Sequence, residues 1–194
     1  MIANNRKTLL VIGGTGFIGF HLLKKSINLG WVSYSASRKK PFKKKRLKKV
    51  KYINVDIKNS KILKNKLNKN YDFIVNLSDV PYSKNKSFIN FISKKKIKKY
   101  IQVGSSAEYG KSKKTLVENL KCRPISAYGK NKLKNTTDTI EIYKNKQDNI
   151  VISKVNIRPK GDRKIHFLNI DSMSYKIDVK NGEEYILGME EMSL

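Results

Sequence analysis

The 194-residue sequence contains one cysteine, two histidines and no long hydrophobic run. Cys122 cannot form an internal disulfide, and no histidine or second cysteine lies near it to indicate a metal site. No apolar stretch approaches the roughly 18 residues that a transmembrane helix needs. The first residues also lack the charged, apolar and small-residue order of a signal peptide. We therefore predict a cytoplasmic chain with no bound metal and no membrane partner.

Acidic residues are also scarce, with 15 against 43 basic residues and a formal net charge of +28 at pH 7. Such a charge commonly indicates a nucleic-acid or anionic-surface partner. However, 37 of the basic residues are lysines, whereas recognition surfaces favour the planar donors of arginine. The densest run, residues 39–49, contains a single aromatic residue, Phe42, where single-strand binders interleave stacking residues. We favour a solvated lysine coat and predict no specific nucleic-acid partner.

Short apolar segments rich in β-branched residues alternate with amphipathic segments along the chain. This alternation predicts an α/β domain with a parallel sheet, because each crossover between parallel strands holds a helix. The predicted strands cover residues 8–12, 32–35, 52–55, 73–77, 100–103 and 150–155. The clearest predicted helices, besides one directly after the first strand, cover residues 60–67, 88–97 and 126–144.

Three glycines spaced three residues apart, Gly13, Gly16 and Gly19, follow the first apolar segment and precede an apolar stripe at helical spacing. Gly13 would allow a tight turn, Gly16 a close approach of phosphates to the backbone, and Gly19 close packing of helix on strand. The free N–H groups at the helix start would face an anion. The pattern predicts a pyrophosphate site in a doubly wound sheet; a tight turn with no ligand is the alternative.

A second pattern combines Tyr128 and Lys132, which are four residues apart and would project from one face of a helix. A phenol has a pKa near 10, and a nearby ammonium favours the phenolate. Such a pair can therefore act as a general acid or base. Residues 103–110, Val-Gly-Ser-Ser-Ala-Glu-Tyr-Gly, end a predicted strand with hydroxyl groups. Doubly wound sheets place their reactive groups at this carboxyl edge.

Together these segments resemble the extended short-chain dehydrogenase/reductase family, specifically its NAD-dependent epimerase/dehydratase branch acting on nucleotide sugars. The resemblance runs from residue 8 to about residue 159. It rests on Gly-Gly-Thr-Gly-Phe-Ile-Gly, Val-Asp-Ile, Asn-Leu-Ser, Ser-Ser-Ala-Glu-Tyr-Gly and Tyr-Gly-Lys-Asn-Lys-Leu, in the family's order. It implies a Rossmann-type doubly wound sheet with helices on both faces. Residues 1–159 would form the NAD(P)-binding domain, and residues 160–194 a remnant of the substrate-binding region.

The resemblance also implies a role for each site residue. Ser105 would steady the substrate oxygen, Tyr128 would be the acid/base, and Lys132 would hold the nicotinamide ribose and tune Tyr128. Further cofactor contacts would come from the glycine turn, the start of the next helix and the ends of the second to fourth strands. These expected cofactor-binding residues are Gly13, Gly16, Phe17, Ile18, Gly19, Arg38, Asp56, Ile57, Leu77 and Ser78, with Asp56 and Ile57 beside the adenine.

Two positions depart from the family pattern. NAD-preferring members have an acidic residue after the second strand, whereas this chain has Arg38, which suits the 2′-phosphate of NADP. We therefore favour NADP over NAD as cofactor; the alternative is that Arg38 is one more surface cation. Dehydratases have an Asp-Glu pair directly after the catalytic hydroxyl, whereas this chain has Ser106 and Ala107, and Glu108 comes one position late. This argues against a dehydratase.

The third departure follows Arg158-Pro159, where family members continue through a sizeable segment that builds most of the sugar pocket. Residues 164–171 follow almost at once and resemble a later family strand, and residues 181–188 resemble the next one. His166 would be a residue of that strand, and His21 a packing or surface residue of the first helix. Neither is a catalytic candidate, and part of the substrate region is expected to be absent.

The leading expectation is an NAD(P)-dependent epimerase or reductase that transfers a hydride at a carbon of a nucleotide sugar, with Tyr128 moving the proton. A homodimer through the helix that carries Tyr128 is usual in similar families. The alternative is a non-catalytic dinucleotide-binding relative without a sugar pocket. Nucleic-acid binding through the lysine coat is the third hypothesis.

Overall fold

The computed structural model describes residues 6–111, 120–143, 150–153, 174–179 and 183–188. Six strands form one parallel sheet in the spatial order β3-β2-β1-β4-β5-β6. The strands are β1 (Thr8–Ile12), β2 (Val32–Ser37), β3 (Val50–Asn54), β4 (Phe73–Asn76), β5 (Lys99–Val103) and β6 (Ile150–Ser153). This is the order of the doubly wound dinucleotide-binding sheet, and it confirms the predicted fold class.

In the described part of the chain, four α-helices and two short 3₁₀ helices connect the strands. The α-helices are α1 (Phe17–Asn28), α2 (Ser60–Lys66), α3 (Tyr82–Ile92) and α4 (Ala127–Tyr143), and the 3₁₀ helices cover Lys43–Lys45 and Ser106–Glu108. A separate antiparallel pair consists of β7 (Ser174–Val179) and β8 (Glu183–Gly188). The predicted strand at 181–188 therefore corresponds to β8. The predicted strand at 164–171, the Arg158-Pro159 motif and the domain boundary at 159 lie outside the described residues. None of the described helices is long and apolar enough to cross a membrane.

Alternate residues of the central strands face opposite sides of the sheet, and each side has its own apolar core. On one side Leu9 and Val11 of β1 pack with Leu22 and Leu23 of α1. On the other side Leu10 and Ile12 belong to a larger core that includes residues of α2 and α3. Helices therefore cover both faces of the sheet, as predicted.

Helix α3 differs from the predicted helix at 88–97. It begins at Tyr82, directly after Pro81, and ends at Ile92. Proline is tolerated at the start of a helix, where a missing N–H leaves no intrahelical partner unpaired. Pro81 is therefore a start signal that the apolar periodicity does not contain. Beyond the helix, Lys95 N donates to Ile92 O in a turn, so Ile97 reaches the core from the connection to β5.

Candidate active site

A cavity of about 610 Å³ lies at the carboxyl ends of β1 to β4. The strand order reverses between β1 and β4, and doubly wound sheets bind ligands at this switch point. The lining combines the glycine turn after β1 with the residues that follow the other three strands. Of the predicted cofactor-binding residues it includes Gly13, Gly16, Arg38, Asp56, Ile57, Leu77 and Ser78.

The glycine turn fits the pyrophosphate of a dinucleotide. Gly13 has a φ of 80°, a conformation that favours glycine, and its N–H donates to the Ala36 carbonyl at 2.8 Å. Among the described atoms, a Cβ on Gly16 would meet only the Gly13 carbonyl oxygen, at 3.3 Å, so the space in front of Gly16 is otherwise open. Helix α1 begins there with no side-chain cap and no acidic residue in its first turn. An anion can therefore take the place of the missing cap.

Gly19 and Gly14 serve packing within the protein. A Cβ on Gly19 would lie 2.5 Å from Gly14 Cα and 2.7 Å from Gly13 O, so only glycine lets α1 lie this close to the turn. A Cβ on Gly14 would lie 2.5 Å from the Oγ of Ser35, so this position also requires glycine. The spacing of three residues does not include Gly14, and the doubled glycine was its only signal in the sequence. Phe17 lies outside the cavity lining and is 50% exposed. The centroid of its ring is 5.0 Å from that of the His21 ring. Contacts of Phe17, Ile18 and Gly19 with a cofactor stay a prediction.

Positive charge dominates the lining at the ends of β2 and β3. Arg38, Lys39 and Lys58 line the cavity there, together with one carboxylate, Asp56. Asp56 Oδ1 accepts the backbone N–H of Lys58 at 3.0 Å, so this carboxylate shapes the turn after β3. The Ser37 hydroxyl is buried beside these cations and has no hydrogen-bond partner among the described residues. This part of the lining therefore combines three cations, one carboxylate and one buried hydroxyl.

Lys132 is 4% exposed and links α4 to the ends of two strands. Its Nζ donates to Ser78 O at 3.3 Å and to Val103 O at 3.4 Å. It also lies 5.8 Å from the ring centroid of Tyr128, which is 46% exposed. Burial lowers the pKa of Lys132, while the carboxylates of Asp79 and Glu108 act in the opposite direction. The Lys132 side chain thus reaches the wall of the cavity at Ser78, whereas neither Tyr128 nor Lys132 is itself among the residues that line the cavity.

Ser105 caps the 3₁₀ turn Ser106–Glu108 that follows β5. Its Oγ accepts the backbone N–H of Ala107 at 3.2 Å, and among the described residues no acceptor is seen for the hydroxyl hydrogen, which could donate to a substrate oxygen. Gly129 of α4 packs directly on the same turn, because a Cβ on Gly129 would overlap the Ala107 carbonyl. This backbone contact brings the Ser105 segment against the helix that carries Tyr128.

A buried polar network below the cavity was not foreseen from the sequence. Asn76 is fully buried, and its Nδ2 lies 3.1 Å from Tyr100 OH and 3.0 Å from Gln102 Oε1. Its Oδ1 accepts the N–H of Ser78 at 3.1 Å and the Ser78 hydroxyl at 2.6 Å. Burial raises the pKa of Tyr100, so this phenol stays neutral. The network fixes Ser78, which lines the cavity and whose carbonyl oxygen accepts a hydrogen bond from Lys132. The only sequence signal of this network was the presence of polar residues within apolar strands.

Within the part of the chain that the structure describes, no group of three or more His, Cys, Asp and Glu is placed to hold a metal ion. His21 packs between the rings of Phe17 and Phe20, as expected for a residue without a catalytic role.

Residues 9–156 match the family model of the NAD dependent epimerase/dehydratase family. The chain belongs to this family. The predicted resemblance is therefore confirmed. No curated protein sequence matches this chain significantly.

Solved structures of epimerases share the fold. UDP-glucuronic acid 4-epimerase from Bacillus cereus, in complex with UDP-glucuronic acid and NAD, is 23% identical with a TM-score of 0.63, over 75% of this chain and 55% of that chain. An epimerase from the methanogen Methanothermobacter thermautotrophicus is 16% identical with a TM-score of 0.69, over 78% and 52%. UDP-glucose 4-epimerase from Thermotoga maritima, with UDP-glucose, is 17% identical with a TM-score of 0.67, over 75% and 54%. The chain thus spans about half the length of these proteins.

Proposed function

We infer that this member of the family is an NAD(P)-dependent epimerase or reductase that acts on a nucleotide sugar. The observation that carries this proposal is the hydrogen bond from Lys132 Nζ to Ser78 O at 3.3 Å. It joins the acid/base helix to the wall of the dinucleotide cavity, so both functional parts form one site. Family membership and the UDP-sugar epimerases among the structural neighbours support the choice of substrate class.

The dinucleotide would lie with its pyrophosphate against Gly13 and Gly16 and its adenosine toward Asp56 and Ile57. A bound nicotinamide supplies a hydride acceptor and donor for a sugar carbon. We propose NADP as the preferred form, because Arg38 offers a planar fork of donors to a 2′-phosphate. The Ser37 hydroxyl, for which the described part of the chain supplies no partner, offers a further hydrogen-bonding group at the same place. The Bacillus cereus neighbour was solved with NAD, so NAD is the competing assignment.

The residues of the chain divide the proton chemistry between them. The Tyr128 phenol, exposed at the surface of α4, would take the proton from the sugar hydroxyl and return it. The Lys132 ammonium would hold the ribose and stabilise charge on the phenol. The Ser105 hydroxyl would donate to the same sugar oxygen and keep it in line. An epimerase would return the hydride to the same sugar, whereas NADP dependence would favour a reductase.

The role of residues 160–194, the cellular location and the oligomeric state remain predictions. Residues 160–194 would contribute to the substrate region, and the protein would be cytoplasmic. A homodimer through α4 would have to accommodate Lys130 on the exposed side of that helix, whereas the Lys134 ammonium is paired with Asp138 at 2.7 Å. Like charges facing each other across a twofold axis repel, so we expect such an assembly to form more readily at high salt.

The test is turnover of a panel of UDP- and other nucleotide sugars with NAD and NADP. Tyr128→Phe should lower turnover by about 100-fold to 10,000-fold, the usual contribution of a general acid or base, and leave dinucleotide affinity nearly unchanged. Tyr82→Phe is the matched control, because Tyr82 is 48% exposed, close to the 46% of Tyr128, and has no proposed role in the site. It should keep full activity.

Two outcomes would contradict the proposal. Wild-type turnover by Tyr128→Phe would refute the role of the phenol. A folded, dinucleotide-binding protein that turns over no nucleotide sugar would instead favour the non-catalytic relative.

A further inference from the structure

Glu108 is a carboxylate with no exposed surface, and the roles discussed so far do not use it. It ends the 3₁₀ turn that Ser105 caps. Burying a carboxylate is unfavourable unless hydrogen bonds and opposite charges compensate for lost hydration. Its described contacts therefore indicate what it does in the fold.

Two of these contacts join the Ser105 turn to helix α4. Glu108 Oε1 accepts the backbone N–H of Ser105 at 2.8 Å, and Glu108 Oε2 accepts the hydroxyl of Thr136 at 3.3 Å. Thr136 follows Lys132 by four residues, and Lys132 follows Tyr128 by four, so the three side chains lie along one face of α4. One carboxylate thus contacts both the Ser105 backbone and the face that carries the acid/base pair.

The same carboxylate lies near Lys132, because the Thr136 hydroxyl that it accepts is one helical turn further along the same face of α4. The described groups that face the ammonium are the Tyr128 ring on its own helix, Asp79 after β4 and Glu108 after β5. Two backbone carbonyls, those of Ser78 and Val103, complete its surroundings. Burial lowers the pKa of Lys132, and the two carboxylates oppose that effect. A neutral residue at position 108 would leave Asp79 as the single described counter-charge.

We propose that Glu108 is a positioning residue of the Ser105–Tyr128–Lys132 site, which links the Ser105 turn to α4 and places a negative charge beside the Lys132 ammonium. Its importance for turnover rests on the proposed function, but its contacts and its charge do not. Glu108, which comes one position too late for the glutamate of a dehydratase, therefore has a different role. Glu108 acts through Ser105 and Lys132 and does not itself touch the substrate.

The experiment measures the titration of Lys132 directly. The ε-carbon resonances of ¹³C-labelled lysines are followed with pH, and the Lys132 signal is assigned by its loss in Lys132→Arg. Glu108→Gln keeps the side-chain shape and an acceptor oxygen but removes the charge. We expect the Lys132 midpoint to fall by about one pH unit, the lower end of the effect of a close charge. Thr136→Val, which removes a hydroxyl and no charge, should leave the midpoint unchanged.

A second measurement tests the link to α4 and does not depend on Glu108→Gln folding. Hydrogen exchange of the Ser105 amide should become faster in Thr136→Val, because the carboxylate that holds this N–H loses one of its two described partners. An unchanged Lys132 midpoint in Glu108→Gln, or unchanged Ser105 exchange in Thr136→Val, would overturn the proposal. Neither readout needs a substrate. Absence of sugar turnover would therefore count against the proposed function and leave this inference standing.

Discussion

Replacing Gly16 by valine should separate cofactor binding from folding. The backbone of Gly16 has φ −76° and ψ 174°, an extended conformation that any residue adopts without strain. A Cβ there has one described neighbour within 4 Å, the Gly13 carbonyl oxygen at 3.3 Å. We expect the free energy of unfolding to fall by about 1 kcal/mol, because valine is a poor residue at a helix N-cap.

The effect on binding should be much larger. The branched side chain would fill the open space in front of the turn and prevent a pyrophosphate from reaching the N–H groups at the start of α1. Loss of at least about 100-fold in affinity, or about 2.7 kcal/mol, is the expected result for NAD and NADP alike. Isothermal titration calorimetry measures the affinity, and urea unfolding measures the stability of the same sample.

Gly19→Ala is the matched comparison, three residues further along. Its methyl group would lie within 2.7 Å of two backbone atoms, Gly14 Cα and Gly13 O, which cannot move independently of the sheet. Overpacking destabilises by about 1–3 kcal/mol, and close contact with two backbone atoms places Gly19→Ala near the upper end of this range. After an offset of about 1 kcal/mol from gained helix propensity, the net loss should be about 2 kcal/mol, larger than that of Gly16→Val. Unchanged dinucleotide affinity in a folded Gly16→Val protein would refute the pyrophosphate site. A Gly16→Val protein less stable than Gly19→Ala would refute the division of roles between the glycines.

The remaining predictions concern cofactor choice and alkaline stability. Arg38→Ala should weaken NADP selectively, by about 1.5–3 kcal/mol for a charge-assisted contact, whereas Lys40→Ala, outside the cavity lining, should not change the preference between NADP and NAD. Calorimetry with both dinucleotides checks this, and equal losses for both in Arg38→Ala would make Arg38 part of a general positive field. The Tyr71 hydroxyl is buried without a partner among the described residues, so Tyr71→Phe should be neutral or stabilising by about 1 kcal/mol at neutral pH. Burial raises the pKa of Tyr71 to about 12, so the unfolded chain releases this proton first and stability falls as the pH rises from 10 toward 12. This loss of stability reaches up to about 2.7 kcal/mol between pH 10 and 12. Urea unfolding should show the loss in the wild-type protein and not in Tyr71→Phe. Parallel curves of stability against pH for the two proteins would contradict the raised pKa of Tyr71.

The sequence determined the elements whose signals are local. An apolar run, glycines three apart and an apolar helical stripe predicted β1, the turn and α1, and the structure places β1 at Thr8–Ile12 as expected. Helix α4 followed from its periodicity and lies within one residue of its predicted ends. The family followed from several such segments in a fixed order. In each case the preference is set by residues within one or two turns of one another.

Helix α3 shows where local signals compete. The apolar residues Phe88, Ile89, Ile92 and Ile97 all lie in the core, so periodicity alone extended the helix to Ile97. Burial does not require a helix, and Ile97 is buried from a connecting segment. The helix ends where Lys95 N donates to Ile92 O in a turn, and Ile97 enters the core after that turn.

The environment of the site was decided by tertiary structure alone. Glu108 is separated from Thr136 by 28 residues, and Lys132 from Ser78 by 54, so no local pattern marks them as partners. A buried carboxylate and a solvated one have the same sequence letter, and the difference arises only when distant strand ends meet at one edge of the sheet. The sequence therefore predicted candidate reactive groups, while the strand order determined the neighbours, the burial and the nearby charges of those groups.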